Sequence, residues 1–106
     1  MKHLLVELSH GIEDWPKNDV IQRTLEAACL VAGAKVIDVY EYAWKPHGYT
    51  AVALLGESHA SVHTWPETGR LYVDYFTCSE DPKCEAFVGR WIEKGYDLVA
   101  SKVIIR

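Results

Sequence analysis

The chain has 106 residues, 25% charged and 49% hydrophobic, with a formal net charge of −4. This length suits one domain with a core of its own. No run of Lys and Arg suggests a nucleic-acid partner, no apolar stretch approaches membrane-spanning length, and a mildly acidic surface would not repel a cationic substrate.

In chain order, His3–Leu8 predicts a first strand. The N-terminus, Met1-Lys2-His3-Leu4-Leu5-Val6-Glu7, has no signal-peptide pattern, so a cytoplasmic location is expected. Residues 20–32 predict a helix, because Ile21, Leu25, Ala28, Cys29 and Ala32 fall on one face. Asn18 suits its cap and Gly33 its stop. Lys35–Ala43, rich in β-branched and aromatic residues, predicts a strand that Lys45-Pro46-His47-Gly48 breaks. Thr50–Leu55, Ser58–Thr64 and Leu71–Thr77 predict three more strands, with a turn at Pro66–Gly69. A second helix is expected with Asp81 as cap, Pro82 in its first position, a buried stripe of Cys84, Phe87, Val88, Trp91 and Ile92, and Gly95 as its end. Leu98–Ile105 predicts the last strand. The order predicts a single α+β domain over 1–106. It is a two-layer sandwich with two helices on one face of a largely antiparallel sheet.

The unusual segment is Glu57-Ser58-His59-Ala60-Ser61-Val62-His63-Thr64-Trp65-Pro66-Glu67, which carries more polar equipment than a structural strand needs. On a strand His59 and His63 share a face but lie roughly 13 Å apart, too far to share one metal ion. Cys78 and Cys84 lack zinc-finger spacing, so no metal is expected. Ser58 and Ser61 lack a Gly-x-Ser-x-Gly elbow. A Cys78–His63 nucleophile pair is chemically open, but no spacing demands it. Three cysteines, an odd number, argue against a disulfide framework.

Glu57-Ser58-His59, the following Ser-Val-His-Thr-Trp-Pro-Glu, Asp74-Tyr75-Phe76-Thr77-Cys78 and the N-terminal His3–Glu7 together resemble the bacterial-type S-adenosylmethionine decarboxylase proenzymes over nearly the whole chain. The resemblance implies self-cleavage at Glu57-Ser58 into residues 1–57 and 58–106. Ser58 becomes a covalent pyruvoyl group, which acts as an electron sink after condensing with the substrate amine. It implies His63 as the processing proton acceptor and Thr50, where the family often has serine, as its assistant. Cys78 becomes the catalytic proton donor, and Trp44, Trp65 and Glu67 become walls of a nucleoside pocket. A homodimer of processed protomers, with sites at or near its interface, and a role in polyamine synthesis are also implied.

The bland readings stand beside these. His63 taken alone reads as a partly buried histidine bonded to backbone, and Cys78 alone as a small core residue. Cys29, Cys84 and Trp91 read as core, Trp44 and Trp65 as edge packing, Glu57 as the residue left at the cleaved terminus, and His59 has no assigned role. On a flat strand Ser58 and His63 face opposite ways, so a kink or turn at the cleavage point is expected to join them. Three departures from the family pattern stand out: a short N-terminal region, Thr50, and Ser79 where glycine is common. They leave open the same chemistry on a free basic amino acid, arginine or ornithine, and an unprocessed, non-catalytic binding or regulatory homologue.

Overall fold

The computed structural model describes residues 1–78 and 83–106. Their order is β1 (Lys2–Ser9), α1 (Asn18–Val31), β2 (Val36–Ala43), β3 (Tyr49–Leu55), β4 (His59–Trp65), a 3-10 turn (Pro66–Thr68), β5 (Arg70–Thr77), α2 (Cys84–Glu93) and β6 (Asp97–Ile105). The strands form one six-stranded sheet in the order β2-β3-β4-β5-β1-β6. Every adjacent pair is antiparallel. The α+β sandwich expected from the sequence is therefore the fold.

Alternation along the central strands divides the sheet into two faces. Leu4, Val6 and Leu8, with Ala51, Ala53, Ala60, Val62, Leu71, Val73 and Tyr75, point to the helix side and are buried. They pack with Ile21, Leu25, Ala28 and Cys29 of α1 and with Phe87 and Trp91 of α2. Small residues on β3 and β4 let α1 lie close, while Tyr75 stacks on Phe87 with ring centroids 4.9 Å apart. Trp91 is fully buried and meets Tyr96 edge-on at 5.1 Å. Trp91→Ala is expected to cost about 3–5 kcal/mol, the usual loss for emptying a large aromatic site, read as a lowered urea midpoint.

Several local expectations are corrected. Asn18 is the first helical residue rather than the cap; Lys17 takes that place, and its side chain makes no capping hydrogen bond. On α2 the buried stripe narrows to Phe87 and Trp91. Cys84 and Val88 are half-buried and Ile92 is exposed, because β6 runs along the sheet edge and leaves that side of the helix uncovered. The expected cap at Asp81 and Pro82 lies outside the described residues. Among the described residues, no helix is long and apolar enough to cross a membrane.

Among the described residues, the other face of the sheet carries no helix. Across it run three rows set by the strand register: Thr50–His63–Tyr72–Glu7, Val52–Ser61–Asp74–Leu5 and Leu54–His59–Phe76–His3. Leu5, Val52, Leu54 and Tyr72 are exposed here beside the polar groups. Nearly all the chemistry singled out in the sequence lies on this face or at its two ends.

Candidate active site

The β3–β4 hairpin divides the site residues into two groups. At its closed end the chain bends through Gly56-Glu57-Ser58, and the Leu55 amide donates to the Ser58 carbonyl at 2.8 Å. Cys78, just past the end of β5, reaches this bend: its thiol donates to the Glu57 carbonyl oxygen at 3.3 Å and lies 3.6 Å from Glu57 Oε2. A thiol therefore sits at the carbonyl of the Glu57–Ser58 peptide bond itself. Ser58 is half-buried and lines a cavity of about 230 Å³ with Gly33, Lys35, Tyr75 and Thr77. Cys78 is exposed, which removes the reading of it as a core residue.

The remaining cysteines behave differently. Burial, with Glu26 nearby as a smaller cause, pushes the Cys29 thiol up to about 12. Cys84 is raised as well, mainly by burial. Both favour the protonated, unreactive thiol.

The second group lies at the open end of the hairpin. Thr50 and His63 are register partners, with Oγ1 and Nδ1 3.1 Å apart. The Trp44 indole N–H donates to Thr50 Oγ1 at 2.9 Å. Trp65 ends β4, and Glu67 follows in the 3-10 turn, which Gly69 closes at φ +67°. A side chain at Gly69 would come within 2.9 Å of the His10 carbonyl, so the tight turn requires glycine. Trp44, Trp65, Glu67, Thr50 and His63 line one cleft of about 370 Å³, within the range of small-molecule sites. His47 joins them, with its Nε2 2.7 Å from Glu67 Oε2.

β4 is continuous from His59 to Trp65 and stays in register on both sides. The expected kink joining Ser58 to His63 is absent. Five residues of extended chain separate them by roughly 16 Å. His63 is exposed and bonds to a side chain, so the reading as a buried, backbone-bonded histidine also fails.

A cluster the sequence reading missed lies between the two ends. Asp74 pairs through Oδ2 with His3 Nε2 at 2.7 Å, receives the Ser61 hydroxyl on Oδ1, and stands 3.9 Å from His59 Nε2. The four residues come from three strands, and only the strand order reveals their convergence. The available signal was one carboxylate in the apolar run Leu71–Thr77. A shallow depression of about 450 Å³ spans this part of the open face, lined in part by Glu7, Ser61, His63 and Asp74.

The structure thus joins an antiparallel two-layer sandwich to a thiol held at a Glu-Ser peptide bond. Residues 2–94 match the S-adenosylmethionine decarboxylase family, and the chain belongs to it. It is 37% identical to an S-adenosylmethionine decarboxylase proenzyme of Prochlorococcus marinus over 105 residues, covering 92% of this chain and 84% of that protein. It is 42% identical to a proenzyme of the same name from Methanococcus maripaludis over 88 residues, covering 79% of this chain and 70% of that one. The crystal structure of the adenosylmethionine decarboxylase of Aquifex aeolicus superposes with a TM-score of 0.80 at 33% identity, covering 99% of this chain and 88% of that one.

Proposed function

We propose that the chain is a self-processing decarboxylase of S-adenosylmethionine that makes a pyruvoyl group from Ser58 and feeds polyamine synthesis. The observation that carries this reading is the Cys78 thiol at the Glu57 carbonyl, at the one bond whose cleavage would put a reactive terminus beside a proton donor.

In the proposed processing, Ser58 Oγ attacks the Glu57 carbonyl carbon, the C–N bond breaks, and the nitrogen takes the hydroxyl proton, leaving an ester. Loss of the Ser58 α-proton expels the Glu57 carboxylate and leaves a dehydroalanine. Water then replaces its nitrogen, which departs as ammonia. Neither partner in the first step is reactive unaided, so it needs a base and a donor to the developing oxyanion. The Cys78 thiol already donates to that oxygen.

The residues around position 58 fit a pyruvoyl group: Ser58 lies in a bend outside the strand ladder, against a cavity and within reach of Cys78. Such a group supplies an electron sink for the pair left behind when carbon dioxide departs. Cys78 then delivers a proton to the carbon that lost it. Trp44 and Trp65 flank the adenine, with aromatic faces that also attract a sulfonium. Glu67 accepts from the ribose hydroxyls.

The two groups stand at opposite ends of one hairpin, so one protomer does not assemble a whole site. We infer a homodimer in which the open faces meet with strands antiparallel. The Thr50–His63 pair and the cleft of one copy then oppose Ser58 and Cys78 of the other. The exposed Leu5, Val52, Leu54 and Tyr72 support burial of this face. Co-expression tests it. Ser58→Ala and His63→Ala chains each stay whole alone. Together, the His63→Ala chain is expected to be cut, because its Ser58 meets the partner's intact histidine. No cleavage in the mixture would exclude action across the interface.

Carbon dioxide release from S-adenosylmethionine, arginine and ornithine by processed protein tests the substrate. Release from S-adenosylmethionine alone is expected; release only from a basic amino acid would overturn the choice.

A further inference from the structure

Trp44, Thr50 and His63 form a hydrogen-bonded chain that the reaction described above does not explain. The Trp44 indole N–H lies 2.9 Å from Thr50 Oγ1, and that oxygen lies 3.1 Å from His63 Nδ1. An indole nitrogen only donates, so Thr50 must be the acceptor in the first bond. One lone pair of the hydroxyl is then committed to Trp44. Only its hydrogen and its other lone pair remain for His63.

The local sequence reinforces this. Thr50 is β-branched, so its Cβ is stiff and its hydroxyl has few settings. It is also held by the ladder to its register partner His63. Trp44 is fixed from the other side, since its backbone amide donates to the Gly48 carbonyl at 2.9 Å and its ring meets Tyr42 edge-on at 4.7 Å. An aromatic ring without an N–H would wall the cleft equally well but leave Thr50 free to turn.

We propose that Trp44 is a positioning residue for self-cleavage: its N–H fixes the Thr50 hydroxyl, which in turn sets the ring orientation and tautomer of His63, the proton-transferring group. This role is separate from the face that Trp44 offers to the cleft, and it rests on the self-cleavage reading above.

Trp44→Phe keeps a ring and removes the donor. Freshly translated chain, followed by gel, gives the rate at which the intact band disappears. Trp44→Phe is expected to slow cleavage roughly three- to tenfold, the factor carried by one neutral hydrogen bond. Thr50→Val is expected to slow it as well, and adding Trp44→Phe to Thr50→Val is expected to slow it no further. A Trp44→Phe chain that cleaves at the wild-type rate would overturn the proposal. So would one that slows cleavage in the Thr50→Val background, since Trp44 would then act by packing.

A second readout avoids cleavage altogether. In uncut Ser58→Ala protein labelled with ¹⁵N-histidine, the His63 ring nitrogens report the tautomer and its hydrogen bond. Trp44→Phe is expected to move the Nδ1 resonance, and an unchanged spectrum contradicts the proposal. If wild-type chain never cleaves, the self-cleavage reading fails, whereas the resonance still tests the Trp44–Thr50–His63 chain directly.

Discussion

Replacing Ser58 by alanine is expected to leave the chain in one piece and to remove decarboxylation entirely. The hydroxyl is the only group at position 58 that can take over the Glu57 acyl carbon, and its oxygen leaves with the Glu57 carboxylate when the ester is eliminated. Alanine removes the nucleophile while leaving the bend and its Leu55–Ser58 backbone bond available. The fold should therefore survive, and the readout is a single band of 12.0 kDa under denaturing conditions. Cleavage at 57/58 in this variant would refute the mechanism.

Cys78→Ala separates processing from turnover. The thiol is held at the Glu57 carbonyl in the uncut chain, where it assists through one hydrogen bond. Its loss should slow cleavage by a modest factor and still allow the two fragments to form. In turnover the same thiol is assigned the proton delivery, a step for which a placed acid contributes about 10²–10⁴-fold. The processed variant is therefore expected to lose about that much kcat, with KM much less changed because Trp44, Trp65 and Glu67 form the cleft without Cys78. Full activity would remove Cys78 from the chemistry.

The fold was largely legible, and the reason is periodicity. Leu71–Thr77 alternates cleanly and is a strand buried on one side, and Ile21, Leu25, Ala28 and Cys29 mark the side of α1 that packs on the sheet. What escaped was neighbourhood. Ile92 fits the helical stripe as well as Trp91 does, yet lies outside the core because β6 sits at the sheet edge. The Asp74 cluster draws His3, Ser61 and Asp74 from three strands whose order no local pattern encodes.

The site was legible in its residues and not in its arrangement. Ser58, His63, Cys78, Trp44, Trp65 and Glu67 all lie where a role is open to them, and the spacing of five between Ser58 and His63 suggested a kink. A continuous β4 keeps them apart instead. Strand geometry is local, whereas the proposed opposition of two hairpin ends would depend on a second copy, which a single sequence does not display. His47 beside Glu67 was missed for a simpler reason: a turn residue at the tip of one hairpin meets another turn only after folding.

The mass of the purified wild-type protein under denaturing conditions tests the central claim most directly. The account predicts two species, residues 1–57 and 58–106. The second should be lighter by one ammonia than the same fragment with an N-terminal serine, and it should resist stepwise N-terminal degradation. A single species of 12.0 kDa after prolonged incubation, or a second fragment that begins with a free serine amine, would contradict it.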